Sequence, residues 1–241
     1  QGLCPQARAG CDAVHAAGGH VEIRSARRQT GADRPEADPL TRSARWLRFI
    51  ETLRIRTRDR RIARLVYNSP QRKLWAVVEP KIDRGEPIRL IVCKARREGV
   101  STEVESWLMT LIASGDLVNA LVTAHQAKAS RRIWSMSKFF VKSSPLLSRI
   151  ATMDRNQIAV GRSTLEIATA GSPESERSGD LTAWHASEAA FYPHPEVMLA
   201  TMQALPHRRD IFSIGVIEST PNAAPPPTGA ADNAARTIEA G

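Results

Sequence analysis

Long apolar runs are missing. No stretch of the 241-residue chain approaches the ~18–20 consecutive apolar residues that span a bilayer. The first residues carry no apolar signal-peptide core, so neither a membrane-embedded nor a secreted protein is expected. Cysteine is scarce: Cys4, Cys11 and Cys93 form an odd, unclustered set, which argues against a disulfide framework and fits a reducing compartment. Cys4, Cys11, His15 and His20 match no common zinc-ligand spacing. Acid is short as well. Between Arg42 and Lys73 eleven Arg or Lys residues face only Glu51 and Asp59, so this stretch holds the whole net excess of +9. Such a band is either a surface for a phosphate backbone or acidic partner, or a solvated arginine-rich face. Aromatics do not interleave with it for stacking on single-stranded bases; Trp46, Phe49 and Trp75 read as core anchors. Residues 1–40 show neither helical nor strand periodicity and are expected to form a poorly ordered arm.

One further absence falls inside the most informative stretch, Ile88 to Ser114. Ile88 to Cys93 is short, apolar and rich in β-branched residues, which predicts a buried strand. Lys94 to Gly99 is a tight basic loop with one glycine. After Ser101 and Thr102, the apolar residues Val104, Trp107, Leu108, Leu111 and Ile112 recur at helical spacing. Strand, glycine loop and helix N-terminus together hold phosphate, because loop N–H groups point inward and the helix dipole adds partial positive charge. The usual motif, G-x-x-x-x-G-K-[ST], puts a lysine where this chain has Val100. Lys94, at the strand's end, has a stem long enough to swing over to the β- and γ-phosphates. Ser101 stands where the Mg²⁺-ligating hydroxyl belongs, and Arg96 and Arg97 add charge that a triphosphate would neutralise. With no ligand the same residues are simply a basic β-to-α turn.

Around this stretch strands and helices alternate. A helix is predicted from Thr41, with Trp46, Phe49, Ile50 and Leu53 on one face, followed by short strands from Arg54 and Arg61. Asn68-Ser69-Pro70 starts an amphipathic helix with Leu74, Trp75, Val77 and Val78, and Arg84-Gly85-Glu86-Pro87 ends it. Asn119 to His125 reads as a strand, and Gln126 to Val141 as a helix striped by Ile133, Met136, Phe139 and Phe140. Gln157 to Val160 and Ser163 to Ala168 read as a hairpin, and Ser172 to Gly179 as a polar flexible segment. Leu181 to Glu188 lies in the sheet, Pro195 to Leu205 is helical, and Ile211 to Ile217 is a strand. The alternation implies right-handed crossovers and a mainly parallel sheet flanked by helices, a three-layer α/β/α fold of P-loop NTPase type over 41–222. Residues 223–241 are expected to form a Pro/Ala-rich disordered tail.

In such sheets ligands gather at the carboxyl ends of strands. Three polar clusters fall there: the Lys94 loop, Ser187-Glu188 and Ser219-Thr220. Glu188 suits a carboxylate that orients and polarises an attacking water; alone, it is as readily a helix N-terminal acid. Ser187 stands where a second acid usually holds Mg²⁺, and supports the ion weakly or through water.

In order and spacing, the stretch from about Trp46 to Asn222 resembles the ATPase domain of the large terminase subunit of tailed bacteriophages, the motor that pumps DNA into a procapsid. Lys94-Ala95-Arg96-Arg97-Glu98-Gly99-Val100-Ser101-Thr102 resembles the variant phosphate loop of these motors, whose lysine lies at the loop's start. Asn68-Ser69-Pro70-Gln71 resembles their adenine-recognition motif, which assigns Gln71 to the base. Arg177-Ser178-Gly179 followed by His185-Ala186-Ser187-Glu188-Ala189-Ala190-Phe191 resembles the second ATPase motif in its Ser-Glu form. Glu218-Ser219-Thr220-Pro221-Asn222 resembles the coupling motif, which senses the γ-phosphate.

The resemblance implies Mg²⁺-dependent ATP hydrolysis, with Lys94, Arg97, Glu188 and Thr220 in the chemistry and Ser101 and Ser187 toward the ion. It also implies double-stranded DNA, a portal protein and a small terminase subunit as partners, a homo-oligomeric ring, and the host cytoplasm as location, with transient docking at the procapsid portal. The chain departs from the family in four places. Glu98 puts an acid in the loop and is expected to face outward; Ala223 stands where glycine commonly follows the coupling motif; the tail does not read as a core; and no counterpart of the family's nuclease domain is present, so DNA cleavage by this chain is not expected. Residues 1–40 match nothing in the family. Two other functions fit the same residues: a helicase-like translocase on the same sheet, or an inert fragment whose basic band binds nucleic acid or a portal.

Overall fold

A capped helix opens the described part of the chain. In the computed structural model the described residues are 40–115, 117–171, 180–207 and 211–221. The expectations for the arm 1–39, for Ser172 to Gly179 with its Arg177-Ser178-Gly179 motif, and for residues from Asn222 onward lie outside them. Helix α1 (Arg42–Ile50) starts at Thr41, whose hydroxyl accepts the Ala44 N–H, and buries Trp46 and Ile50. Strands β1 (Arg54–Arg56) and β2 (Ile62–Arg64) pair antiparallel as a separate ribbon. Helix α2 (Ser69–Arg84) begins with a capping box in which Asn68 and Gln71 bond each other's backbone N–H, and stops at Gly85, whose φ of 67° suits glycine.

The remaining elements build one sheet. They are β3 (Ile88–Cys93), α3 (Val100–Ser114), β4 (Asn119–Ala124), α4 (Ala127–Ser143), a single turn α5 (Leu147–Ile150), β5 (Ala151–Asp154), β6 (Gln157–Val160), β7 (Ser163–Thr169), β8 (Ala183–Ser187), α6 (Pro195–Ala204) and β9 (Ile214–Ser219). The sheet has seven strands in the order β3-β9-β8-β4-β7-β6-β5. The pairs from β3 to β7 are parallel, while β6 and β5 finish the sheet as an antiparallel meander. Alternation along the strands sorts side chains onto two faces. Val122, Ala124 and Ala183 join Val104, Trp107, Leu108 and Ile112 in the core beneath α1–α4. Leu121, Trp184 and Ala186 pack on the other side with Met198, Met202 and Leu205, under α6. The result is the expected three-layer α/β/α architecture.

Three expectations need correction. The sequence predicts a buried strand over Ile88–Cys93, but β3 is an edge among the described residues, pairing with β9 alone, and Ile91 is 84% exposed. An apolar run reports strand propensity and carries no information about sheet order. The last strand starts at Ile214 instead of Ile211, because Phe212 leaves the sheet to pack edge-on against Trp46, under the Arg42 guanidinium. Strand β5 and the turn α5 are additions to the expected elements; Ala151–Asp154 is short and mostly exposed, so no periodicity marks it.

Several side chains of the basic band have partners within the chain. Arg42 lies over Phe212 and Arg56 over Phe139, Arg58 and Arg72 donate to backbone carbonyls, and Arg61 pairs with Asp59. Arg48, Arg60, Arg64 and Lys73 are exposed.

Candidate active site

Five parallel strands send their carboxyl ends to one edge of the sheet, and the loop after β3 lies there against the start of α3. Gly99 caps α3 at φ 86°, and its carbonyl accepts the Gln71 amide at 2.9 Å. A Cβ at this position would lie 2.9 Å from Gln71 Nε2, so both conformation and space call for glycine. Asn68 Nδ2 donates to the Glu98 carbonyl, and Arg58 Nη2 donates to the carbonyl of Arg97, which itself has φ 69°. The loop is thus pinned from the start of α2 and from the β1–β2 ribbon.

Several residues of the loop motif do other work. Val100, at the usual lysine position, is buried in the core. Thr102 turns its hydroxyl to Met136 Sδ of α4. Gln71, assigned to the base by resemblance, is buried beneath the loop with its amide engaged by Asn68 and Gly99. Arg96 and Arg97 are exposed. Glu98 does not simply face outward as expected: its carboxylate accepts the Ala95 N–H at 3.2 Å, because a short loop leaves amides that an acid three residues on can reach.

The strand ends bring the remaining predicted residues together. Lys94, only 8% exposed, places Nζ 3.0 Å from Glu188 Oε1 and 2.9 Å from Glu218 Oε2. Glu188 follows β8 in the left-handed region, φ 56°, and its Oε2 accepts both the N–H and the hydroxyl of Thr220, at 3.3 and 3.0 Å. Burial pushes the Glu188 carboxyl up, but the bond and charge of Lys94 and the two Thr220 donors outweigh it, so the group sits below its ordinary pKa.

Glu218, fully buried near the end of β9, enters the sequence reading only as the first residue of the coupling motif. Its Oε1 accepts the hydroxyls of Ser101 and Ser187, each at 2.8 Å. Behind it His185 places Nε2 3.5 Å from the same oxygen and Nδ1 2.9 Å from Glu105, which also accepts the Ser137 hydroxyl. An acid closing an apolar strand was the available signal for Glu218, since a buried carboxylate demands partners. For Glu105 and His185 no local signal exists; they meet only across the helix–sheet contact.

The sheet, the loop and the strand-end carboxylates define an α/β fold of the P-loop NTPase type. No protein-family model matches the sequence, and no curated protein matches it. Among solved structures, the large terminase of bacteriophage HK97 superposes with a TM-score of 0.62 at 14% identity, over 83% of this chain and 42% of that protein. The chain therefore spans less than half the length of the HK97 protein. The large terminase of a thermophilic bacteriophage, in complex with ATP-γ-S, scores 0.46 at 15% identity over 64% of this chain and 38% of that one. The N-terminal domain of the bacteriophage phi29 DNA packaging ATPase scores 0.43 at 11% identity, over 66% and 82%. At such identity the HK97 likeness is one of fold, and it falls on the family whose motifs the sequence resembles.

Proposed function

We propose that residues 41–222 are the ATPase domain of a viral DNA-packaging motor, hydrolysing ATP with Mg²⁺ to drive double-stranded DNA into a procapsid. One observation carries the reading: Lys94 and Thr220, following β3 and β9, both donate to Glu188, which follows the adjacent parallel strand β8. The fold shared with the HK97 large terminase supports it.

In this reading the loop amides, Lys94, Arg96 and Arg97 clamp the phosphates, and Glu98 leaves the Ala95 amide as the anion arrives. Gln71 fixes the loop from below, on the side assigned to adenine. As Lys94 turns to the phosphates Glu188 loses its cation, its affinity for a proton rises, and it becomes a better base toward water. Thr220, held on the other oxygen of Glu188, couples turnover to movement. Arg97 stabilises transition-state charge, in cis or toward a neighbour in a ring.

The residues present also fit Mg²⁺. Ser101 gives its hydrogen to Glu218 and keeps its lone pairs, with Ser187 beside it. Among the described residues no group of three or more His, Cys, Asp or Glu is able to hold a metal, so the ion would share oxygens with the triphosphate. Bound there, Mg²⁺ would supply positive charge to the phosphate oxygens. Double-stranded DNA, a portal protein and a small terminase subunit are the proposed partners, in the host cytoplasm. Among the described residues no helix is long and apolar enough to cross a membrane.

The test is DNA-stimulated ATP hydrolysis by this chain beside Lys94→Ala. Turnover in the parent and none in the variant is expected. Nucleotide binding without turnover, with DNA and Mg²⁺ supplied, would replace the motor with an inert binding module. Unwinding of a forked duplex would point to a helicase.

A further inference from the structure

The position after the apolar part of β8 is where a packaging motor of this type needs an acid for Mg²⁺, and here it is Ser187, which has no charge to offer. Directly opposite Ser187 in the parallel register of β8 and β9 stands Glu218. Both hydroxyls that face the ion in the reading above, Ser101 and Ser187, donate to one Glu218 oxygen. The other oxygen has the Lys94 ammonium at 2.9 Å. We propose that Glu218 is the acid of the Mg²⁺ site, the role having moved from β8 to the facing position on β9. The inference rests on the ATPase reading.

Two physical arguments support it. A serine hydroxyl has one hydrogen and two lone pairs; with its hydrogen given to Glu218, Ser101 has only lone pairs left to offer, as a cation ligand requires. The second argument is charge. Lys94 is the ammonium shared by Glu188 and Glu218, and a triphosphate that captures it leaves a fully buried carboxylate without its cation. His185 is already engaged by Glu105 at 2.9 Å and stands 3.5 Å from Glu218, so it compensates only in part. A divalent ion held there with the nucleotide would restore the balance at Glu218. The exchange is ammonium to phosphate and Mg²⁺ to carboxylate.

The experiment measures binding of a fluorescent ADP analogue by the whole chain across a Mg²⁺ titration, with Mn²⁺ resonance spectra of the same complexes as a second readout. Glu218→Gln is expected to raise the Mg²⁺ concentration for half-maximal binding by about tenfold or more, without weakening binding in EDTA. Adding Ser187→Asp returns an acid to β8 and is expected to bring the requirement to within about threefold of the parent. An unchanged requirement in Glu218→Gln overturns the inference. Should Glu218→Gln not fold, Glu218→Asp carries the test: a shifted carboxylate that raises the Mg²⁺ requirement about tenfold with binding in EDTA unchanged supports the inference, and a requirement equal to the parent's overturns it. A parent chain that binds the analogue at no Mg²⁺ concentration overturns the ATPase reading and this inference with it.

Discussion

Lys94 Nζ and Glu188 Oε1 lie 3.0 Å apart although they follow strands that do not touch. Strand β9 runs between β3 and β8, and its Glu218 completes the bridge from the other side of the ammonium. The positive charge at the loop's start is thus balanced by two carboxylates before a phosphate arrives. In the proposed function, nucleotide binding would exchange one set of ionic partners for another, and Glu188 would feel that exchange directly.

Breaking the bridge has a calculable consequence. Lys94→Met leaves the buried Glu218 without a cation and is expected to destabilise the fold by about 3 kcal/mol in chemical denaturation. Glu218→Gln in the same background removes the unpaired charge and should recover about half of that loss. Purely additive effects of the two changes would show that the ammonium and Glu218 do not interact.

Glu188→Gln keeps the shape of the side chain and its acceptor for Thr220, but cannot take a proton. Single-turnover hydrolysis should fall by at least about 100-fold while ATP affinity stays within a few-fold of the parent. Hydrolysis at the parent rate would remove Glu188 from the chemistry.

Gly99→Ala meets two obstacles at once, a left-handed φ of 86° and a Cβ only 2.9 Å from Gln71 Nε2. A stability loss of about 1–3 kcal/mol is expected. Nucleotide affinity should fall further than this loss explains, because Gln71 must release the loop carbonyl. Calorimetry beside nucleotide titration separates the two effects.

Glu103 offers a pH-dependent signal away from the loop. It lies fully buried in the first turn of α3, neither carboxylate oxygen has a hydrogen-bond partner, and burial pushes its pKa up to about 9 from an ordinary 4.5. The folded chain therefore holds this proton more tightly than the unfolded chain. That contribution to stability is complete below pH 4.5 and is lost as pH rises toward 9. Glu103→Gln has no proton to lose, so between acidic and mildly alkaline pH the parent should lose about 2 kcal/mol more stability than the variant. Parallel curves for the two proteins would place Glu103 in contact with water.

The order of elements was legible without coordinates wherever a local pattern carried it. Asn68 and Pro70 announce α2, Ile88 to Ser114 reads as strand, loop and helix, apolar runs mark β4 and β8, and the hairpin pattern around Gly161 marks β6 and β7. The sequence placed Lys94, Ser187, Glu188 and Thr220 at strand ends and Ser101 at the start of the following helix, and the structure joins them through Glu188 and Glu218 in one polar group. Arg96, Arg97 and Thr102 belonged to the same motif but point to solvent or to α4, since a motif states chain position and leaves side-chain direction open.

What the sequence determined by itself is periodic and near in the chain: helix faces, caps, the glycine turn, and the strand–helix alternation that makes parallel pairing the natural outcome. What only the tertiary structure decided depends on which strands became neighbours. Glu218 faces Ser187 because β9 inserted between β3 and β8, and Glu105 meets His185 because α3 lies across that part of the sheet. Such contacts join residues far apart in the chain, where no spacing rule operates. The burial that makes them consequential exists only once the layers have closed.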